Sequence, residues 1–167
     1  FDIKKINSKL IFFNQKMCYY KFNLYQKNYT WNGSRATLKK NLISPQWLRD
    51  IKPKSYPLWR LDIIFSKNKY NDIFFVQKGG WHFSYLNTPS LIEEKLRSYA
   101  HHREYDVNPI DVDGIKSKIK NRETVYNLKL DKRKNQFSKG VKLDVLEIEN
   151  LPEYIKLNKS KFSEWLE

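Results

Sequence analysis

From Trp81 to Tyr85 five consecutive positions carry an indole, an imidazole, a phenyl ring, a hydroxyl and a phenol, in the run Gly79-Gly80-Trp81-His82-Phe83-Ser84-Tyr85-Leu86. The apolar stretch Ile73-Phe74-Phe75-Val76 precedes them. A helix start follows, with Thr88 as N-cap, Pro89 at the first helical position and Glu93 and Glu94 in the early turns, where the helix dipole favours acids. A strand that stops on two glycines and delivers such groups ahead of a helix has the geometry of a site at the end of a sheet. His82 is the sharpest candidate, against the alternative of a core histidine bonded to backbone. Ser84 has no evident base beside it and does not read as a nucleophile.

Other groups carry less. His101, His102 and Glu104 follow the long helix, but a zinc site needs more ligands than these. Asp111-Val112-Asp113 has the spacing of a metal-binding acidic pair. Gly114 and the amphipathic run Ile115 to Ile119 make a helix cap the better reading. Arg97 could reach a phosphate, or pair with Glu93 one turn earlier. Cys18 is the one cysteine, which excludes an intrachain disulfide and a cysteine-based zinc site; it reads as a small core residue.

The elements that must position these groups are mixed. Residues 10 to 25 read as a strand or hairpin of period two, with Cys18, Tyr20, Phe22 and Leu24 on one face. Residues 29 to 33 read as a turn or loop. Residues 37 to 43 are open between helix and strand. Ser44-Pro45 starts a short helical turn through Arg49, and Pro53 and Pro57 mark a loop. Residues 60 to 65 and 72 to 77 read as two strands joined by a Lys/Asn-rich turn. A helix runs from Pro89 to about His102, with Ile92, Leu96 and Tyr99 on one face. A second runs from Asp111 or Asp113 to Lys120, residues 141 to 148 alternate as a strand, and Asn150-Leu-Pro-Glu153 reads as a capping box for a last helix with Ile155, Phe162, Trp165 and Leu166 as its apolar contacts.

The 167 residues are one domain's worth of chain, and an aromatic content of 16% excludes a disordered segment. No apolar run is long enough to span a bilayer. The net charge of +14 comes from 32 basic and 18 acidic residues. It is compatible with a nucleic-acid or membrane-surface partner. The lysines are scattered, however, and read as solvated faces. The clusters Lys116-Ser-Lys118-Ile-Lys120 and Lys132-Arg133-Lys134 could still attract diphosphate or anionic lipid, so peripheral membrane association is left open.

Gly-Gly-Trp-His-Phe-Ser-Tyr (79–85) followed by Glu-Lys-Leu-Arg-Ser-Tyr-Ala-His (94–101) resembles glycosyltransferase family 17, the family of the bisecting N-acetylglucosaminyltransferase. Met17-Cys-Tyr-Tyr-Lys-Phe-Asn-Leu24 looks like its aromatic strand, Trp31-Asn-Gly-Ser-Arg35 and Pro45-Gln-Trp-Leu-Arg49 like the segments after it, and Leu151 to Leu166 like its tail. The resemblance implies an α/β fold, a Rossmann-like (A-type) nucleotide-sugar glycosyltransferase. Residues 1–167 would then be the C-terminal part of one such domain, with mixed sheet and flanking helices. The acidic Asp-x-Asp-Glu motif of the family should precede the aromatic strand, yet the chain opens at Phe1-Asp2-Ile3 without it. The N-terminal nucleotide-binding part is therefore expected upstream, and residues 1–167 alone are expected to have little transferase activity.

The implied activity is inverting transfer of N-acetylglucosamine, or a similar sugar, from a nucleotide-diphosphate donor to a glycan or glycoprotein. A divalent metal, Mn2+ or Mg2+, would be held mainly by upstream residues, with His82 as an added ligand or transition-state donor. Asp62 and Glu94 are candidate bases for the acceptor hydroxyl. Trp81, Phe83 and Tyr85, or Trp31 and Tyr29 in their loop, could pack on sugar C–H faces; the alternative for the 81–85 run is a buried strand face. Gly80, Ser84 and Arg97 complete the implied binding set. The expected location is the cytoplasm or a peripheral membrane position in a microbe or virus, and the Golgi membrane in a eukaryote. A reading from another class is a basic, aromatic-rich module for single-stranded nucleic acid; scattered lysines and the lack of an RNA-recognition signature speak against it, and no nucleic acid is expected.

Overall fold

The computed structural model describes residues 6–98, 102–127 and 140–167. In chain order the elements are β1 (Leu10–Phe13), β2 (Gln15–Tyr19), β3 (Leu24–Trp31), β4 (Arg35–Thr37), α1 (Pro45–Asp50), β5 (Ile73–Val76), β6 (Trp81–Ser84), α2 (Pro89–Arg97), α3 (His102–Val107), α4 (Val112–Lys120), β7 (Asp144–Val145) and α5 (Glu153–Leu157). The class is mixed α/β, with two mixed sheets and flanking helices. The chain divides into two compact units, Phe1–Gln15 with Thr30–Gly80, and Lys16–Tyr29 with Trp81–Glu167. Among the described residues no helix is long and apolar enough to cross a membrane.

In the first unit β1 lies between β4, antiparallel to it, and β5, parallel to it. Alternate residues of β1 and β5 point to one side, where Leu10, Phe12 and Ile73 bury with Ile51 against Trp47, Leu48, Tyr70 and Phe75. Helix α1 starts as its sequence implies: Ser44 accepts from the Trp47 amide at 3.0 Å and Pro45 fills the first turn. Its end is closed by Arg35, whose guanidinium donates to the carbonyls of Leu48 and Ile51 at 2.8 and 2.9 Å and lies 4.6 Å from the Phe12 ring centre. These carbonyls have no partner inside the helix, so the fork supplies one. Burial pulls the Arg35 pKa down.

Two expectations fail in this unit. Residues 60 to 65 are not a strand. Arg60, Ile63, Ile64 and Ser66 donate to carbonyls three residues back, a 3-10 turn at Leu61–Ile63, and these local bonds take the amides a strand would offer. Residues 29 to 31 are not a loop but the end of β3, and the turn begins only at Asn32.

In the second unit the strand order is β6-β2-β3-β7. β2 and β6 run parallel, with Lys16, Met17, Cys18 and Tyr19 opposite Trp81, His82, Phe83 and Ser84. The expected period-two alternation through residues 10 to 25 is broken. The chain turns between β2 and β3, and Met17 to Tyr20 are buried consecutively. One side of the sheet packs Phe22, Tyr25, Trp81 and Phe83 against Leu146, Leu151, Ile155 and Phe162. Helix α2 packs on α3 and α4, burying Ile92, Leu96 and Ile115.

Helix α4 is capped by Asp111, which accepts from the Gly114 amide at 2.7 Å, so the cap reading of Asp111-Val112-Asp113 holds. The strand expected at 141–148 shrinks to Asp144–Val145, paired with Leu24–Tyr25, before a 3-10 turn at Ile148–Asn150. Asn150 does not cap α5. Its carbonyl accepts from the Trp81 indole at 3.0 Å, and Pro152 stands at the N-cap. The C-terminal residues close on the β2–β3 turn: buried Asn23 exchanges two hydrogen bonds with the Glu167 backbone, at 2.8 and 3.1 Å.

Candidate functional site

The β5 strand stops at Val76, a turn at Gln77 and Lys78 leads to the glycine pair, and the strand that follows belongs to the other sheet. Gly80 takes φ +118°, a conformation that L side chains rarely adopt, and a Cβ at Gly79 would meet the Phe13 Cβ at 2.8 Å. The Gly-Gly step thus has a structural reason at both positions.

Beyond it, β6 shows two faces. Trp81 and Phe83 join the apolar cluster with Leu146 and Ile155, the core alternative for these residues. His82 and Ser84 face the other way, on the same side as their partners Met17 and Tyr19. His82 is half-buried, and its pKa lies below the ordinary 6.5, first because burial disfavours the imidazolium and second because Lys95 adds positive charge nearby. The ring is therefore held toward its neutral form.

The end of this strand pair is strained. Tyr20 follows β2 with φ 64° and Tyr85 follows β6 with φ 56°, and the Tyr20 amide bonds the Ser84 carbonyl at 3.0 Å. Two bulky residues side by side in the left-handed region cost on the order of 1–3 kcal/mol each, and such strain gathers at functional sites. The aromatic neighbours hold it. Tyr85 lies 6.4 Å from Tyr19, nearly parallel to it, and 6.0 Å edge-on from Tyr126, with the Lys95 ammonium 5.0 Å from its ring centre. Burial pushes the Tyr19 and Tyr20 phenols up, and Cys18 up to about 12, so the thiol stays protonated and inert.

Of the sequence candidates, His82 and Ser84 share the face of β6 opposite the apolar cluster, and Tyr85 follows them with Lys95 over its ring. Glu94 is exposed on α2 beside Lys95. Arg97 pairs with Glu93 at 2.6 Å, as the spacing implies, and lines a shallow hollow of about 430 Å³ with Pro109 and Asp111. In the first unit, Asp62 is exposed and tied to Arg60 and Lys69 at 2.8 and 2.7 Å, which hold its carboxyl at about 2. Trp31 folds its indole over Gly33, where a Cβ would overlap the ring nitrogen, so the Trp-x-Gly spacing is a packing device. His101 lies outside the described residues.

Among the described residues no three His, Cys, Asp or Glu side chains gather to hold a metal ion. His82 is a single donor with a cation beside it, a poor match to a divalent ion on its own. Lys95, Tyr19, Tyr20 and Tyr126 were not singled out by the sequence. The signal for Lys95 was its place three residues after buried Ile92, on the rim of the helix's buried face. The first unit also holds an open cleft of about 300 Å³ between Trp47, Tyr70, Asn41, Asn71 and Asp72, none of which stood out as a binding residue in the sequence. Compared with protein-family models, with curated proteins and with solved structures, the chain gives no match.

Proposed function

We propose that this chain is the C-terminal part of an inverting, family 17-like glycosyltransferase with a Rossmann-like fold, moving N-acetylglucosamine or a similar sugar from a nucleotide-diphosphate donor to a glycan hydroxyl. The observation that carries the reading is the half-buried His82 imidazole on β6 with a cation, Lys95, near it, next to the strained Tyr20 and Tyr85 at the end of the β2–β6 pair. Inverting transfer needs a proton acceptor for the incoming hydroxyl and a positive charge for the departing diphosphate. The acceptor oxygen bonds the anomeric carbon as the bond from that carbon to the diphosphate breaks, and the electron pair leaves with the diphosphate. The hydroxyl proton passes to His82, and Lys95 offsets the charge developing on the leaving group. A carboxyl held at about 2 makes Asp62 the poorer base. The Lys95 charge opposes a second cation at His82, so a Mn2+ or Mg2+ ion would be held by donors other than these.

The test is glycan-dependent release of nucleoside diphosphate from nucleotide-N-acetylglucosamine by the full-length protein. His82→Asn should lower kcat on the order of a hundredfold or more, as loss of a general base does. Lys95→Ala should weaken both donor binding and turnover. Undiminished turnover in His82→Asn would return His82 to a structural role.

A further inference from the structure

Residues 57–66 of the first unit leave more apolar side chain in water than a folded surface ordinarily does. Leu58, Trp59, Leu61, Ile64 and Phe65 are 80%, 78%, 71%, 75% and 88% exposed. Trp59 and Phe65 alone, at roughly 150–250 Å² each when bare, present on the order of 300 Å² of ring to solvent. Contiguous patches of this kind mark interaction sites. The backbone here is a run of 3-10 turns, which offers neither a strand edge nor a helix face to a partner. Exposures this high mean that the side chains stand away from their own unit rather than lying flat on it.

Charge decides what they meet. Within residues 51–70 there are five cations, Lys52, Lys54, Arg60, Lys67 and Lys69, and one acid, Asp62. Asp62 is already occupied by Arg60 and Lys69. Lys54, Arg60 and Lys69 stand 5.7, 5.3 and 5.9 Å from the centre of the Tyr56 ring, so the positive charge is gathered at the base of the apolar loop. Apolar tips that include Trp and Phe, above a collar of lysine and arginine, match the interface of an anionic bilayer, where rings enter the acyl boundary and cations stay among the head groups. We infer that residues 57–66 dock this protein on anionic membrane surfaces, with Leu58, Trp59 and Phe65 inserted and Lys52, Lys54 and Lys67 held at the phosphates. This inference is independent of the transferase reading.

Vesicle flotation of the full chain tests it, with phosphatidylcholine alone and with phosphatidylcholine and phosphatidylserine at about three to one. The chain should float with the mixed vesicles, and molar salt should release it. Two triple variants probe the two halves of the contact, Leu58→Ser/Trp59→Ser/Phe65→Ser and Lys52→Gln/Lys54→Gln/Lys67→Gln. Each should lower partitioning on the order of a hundredfold. All six side chains are exposed, so both variants should melt with the wild type. Brominated acyl chains should quench indole fluorescence in the wild type and much less in Trp59→Phe, which keeps an aromatic ring at the tip. Equal binding to both vesicle types, or unchanged binding by the serine variant, would overturn the inference. So would a dimer in sedimentation that the serine variant dissociates while no vesicle binds, because a second copy would then be the occupant of the loop.

Discussion

Replacing Arg35 by alanine tests whether the Trp31-to-Arg35 segment serves the fold or a ligand. Its guanidinium donates to the carbonyls of Asn32, Leu48, Arg49 and Ile51 at 3.1, 2.8, 2.5 and 2.9 Å and lies over the Phe12 ring. A hydrogen bond to a charged group contributes about 1.5–3 kcal/mol and a cation–ring contact about 0.5–1. Water replaces part of this at a half-exposed side chain, so Arg35→Ala should cost about 2–4 kcal/mol. Arg35→Lys should recover less than half, since a point charge cannot fork across four carbonyls. Urea denaturation gives the total, and hydrogen exchange at the α1 amides locates it in the first unit. A loss below about 0.5 kcal/mol in Arg35→Ala would refute the capping account.

Asn23→Ala removes a buried amide that exchanges two bonds with Glu167. It should cost about 1–3 kcal/mol in chemical denaturation and loosen the C-terminal turn in hydrogen exchange. Asp111→Asn should cost about 1 kcal/mol or less in a thermal melt, because asparagine also caps, and should leave any divalent-ion binding unchanged. The His82 pKa is lower in the folded state than the ordinary 6.5, so below that value the unfolded state takes up the proton more readily. Its destabilising effect is absent well above pH 6.5, grows as pH falls through 6.5, and levels off below the folded pKa. Stability measured against pH in His82→Asn should show a shallower acid loss over this window; an unchanged slope would contradict the assigned environment.

The parts of the fold that were legible in the sequence are those written in local chemistry. Ser44-Pro45, Pro89 with Ile92 and Leu96, and Asp111 before Gly114 each carry the start or the buried face of a helix within a few residues, and α1, α2 and α4 start where those signals put them, although α2 ends at Arg97, short of the expected His102. The misreadings lie where long-range partners or local turns decide. Residues 60 to 65 are as apolar as a strand, yet their amides close three-residue turns and the side chains stay in water. In the 141–148 run only Asp144 and Val145 form a strand, paired with Tyr25 and Leu24, while Lys142 makes a single bridge to Glu123. For the site, the glycine pair and the apolar run before it set His82 beyond the end of the strand at 72–77, whereas His82 lies within a strand of its own, β6, which was legible only as the alternative for Trp81, Phe83 and Tyr85. Which face it occupies was not, because Leu146, Ile155 and Phe162, more than sixty residues away in sequence, select Trp81 and Phe83 for the core. Lys95 and Tyr126 reach the site only through tertiary packing, and the left-handed backbone of Tyr20 and Tyr85 has no signature in residue type.

The central claim is that His82 and Lys95 together receive a nucleotide-sugar and its acceptor. The chain has three histidines, so their ring proton resonances can be resolved and His82 assigned with His82→Asn. Titrating the protein with a nucleoside diphosphate while following the His82 ring across pH measures the claim directly. An anion seated at Lys95 should cancel its charge, shift the His82 resonances in a saturable way and raise the His82 pKa toward its ordinary value, and Lys95→Ala should abolish the effect. A His82 resonance and pKa that ignore saturating nucleotide would contradict the account.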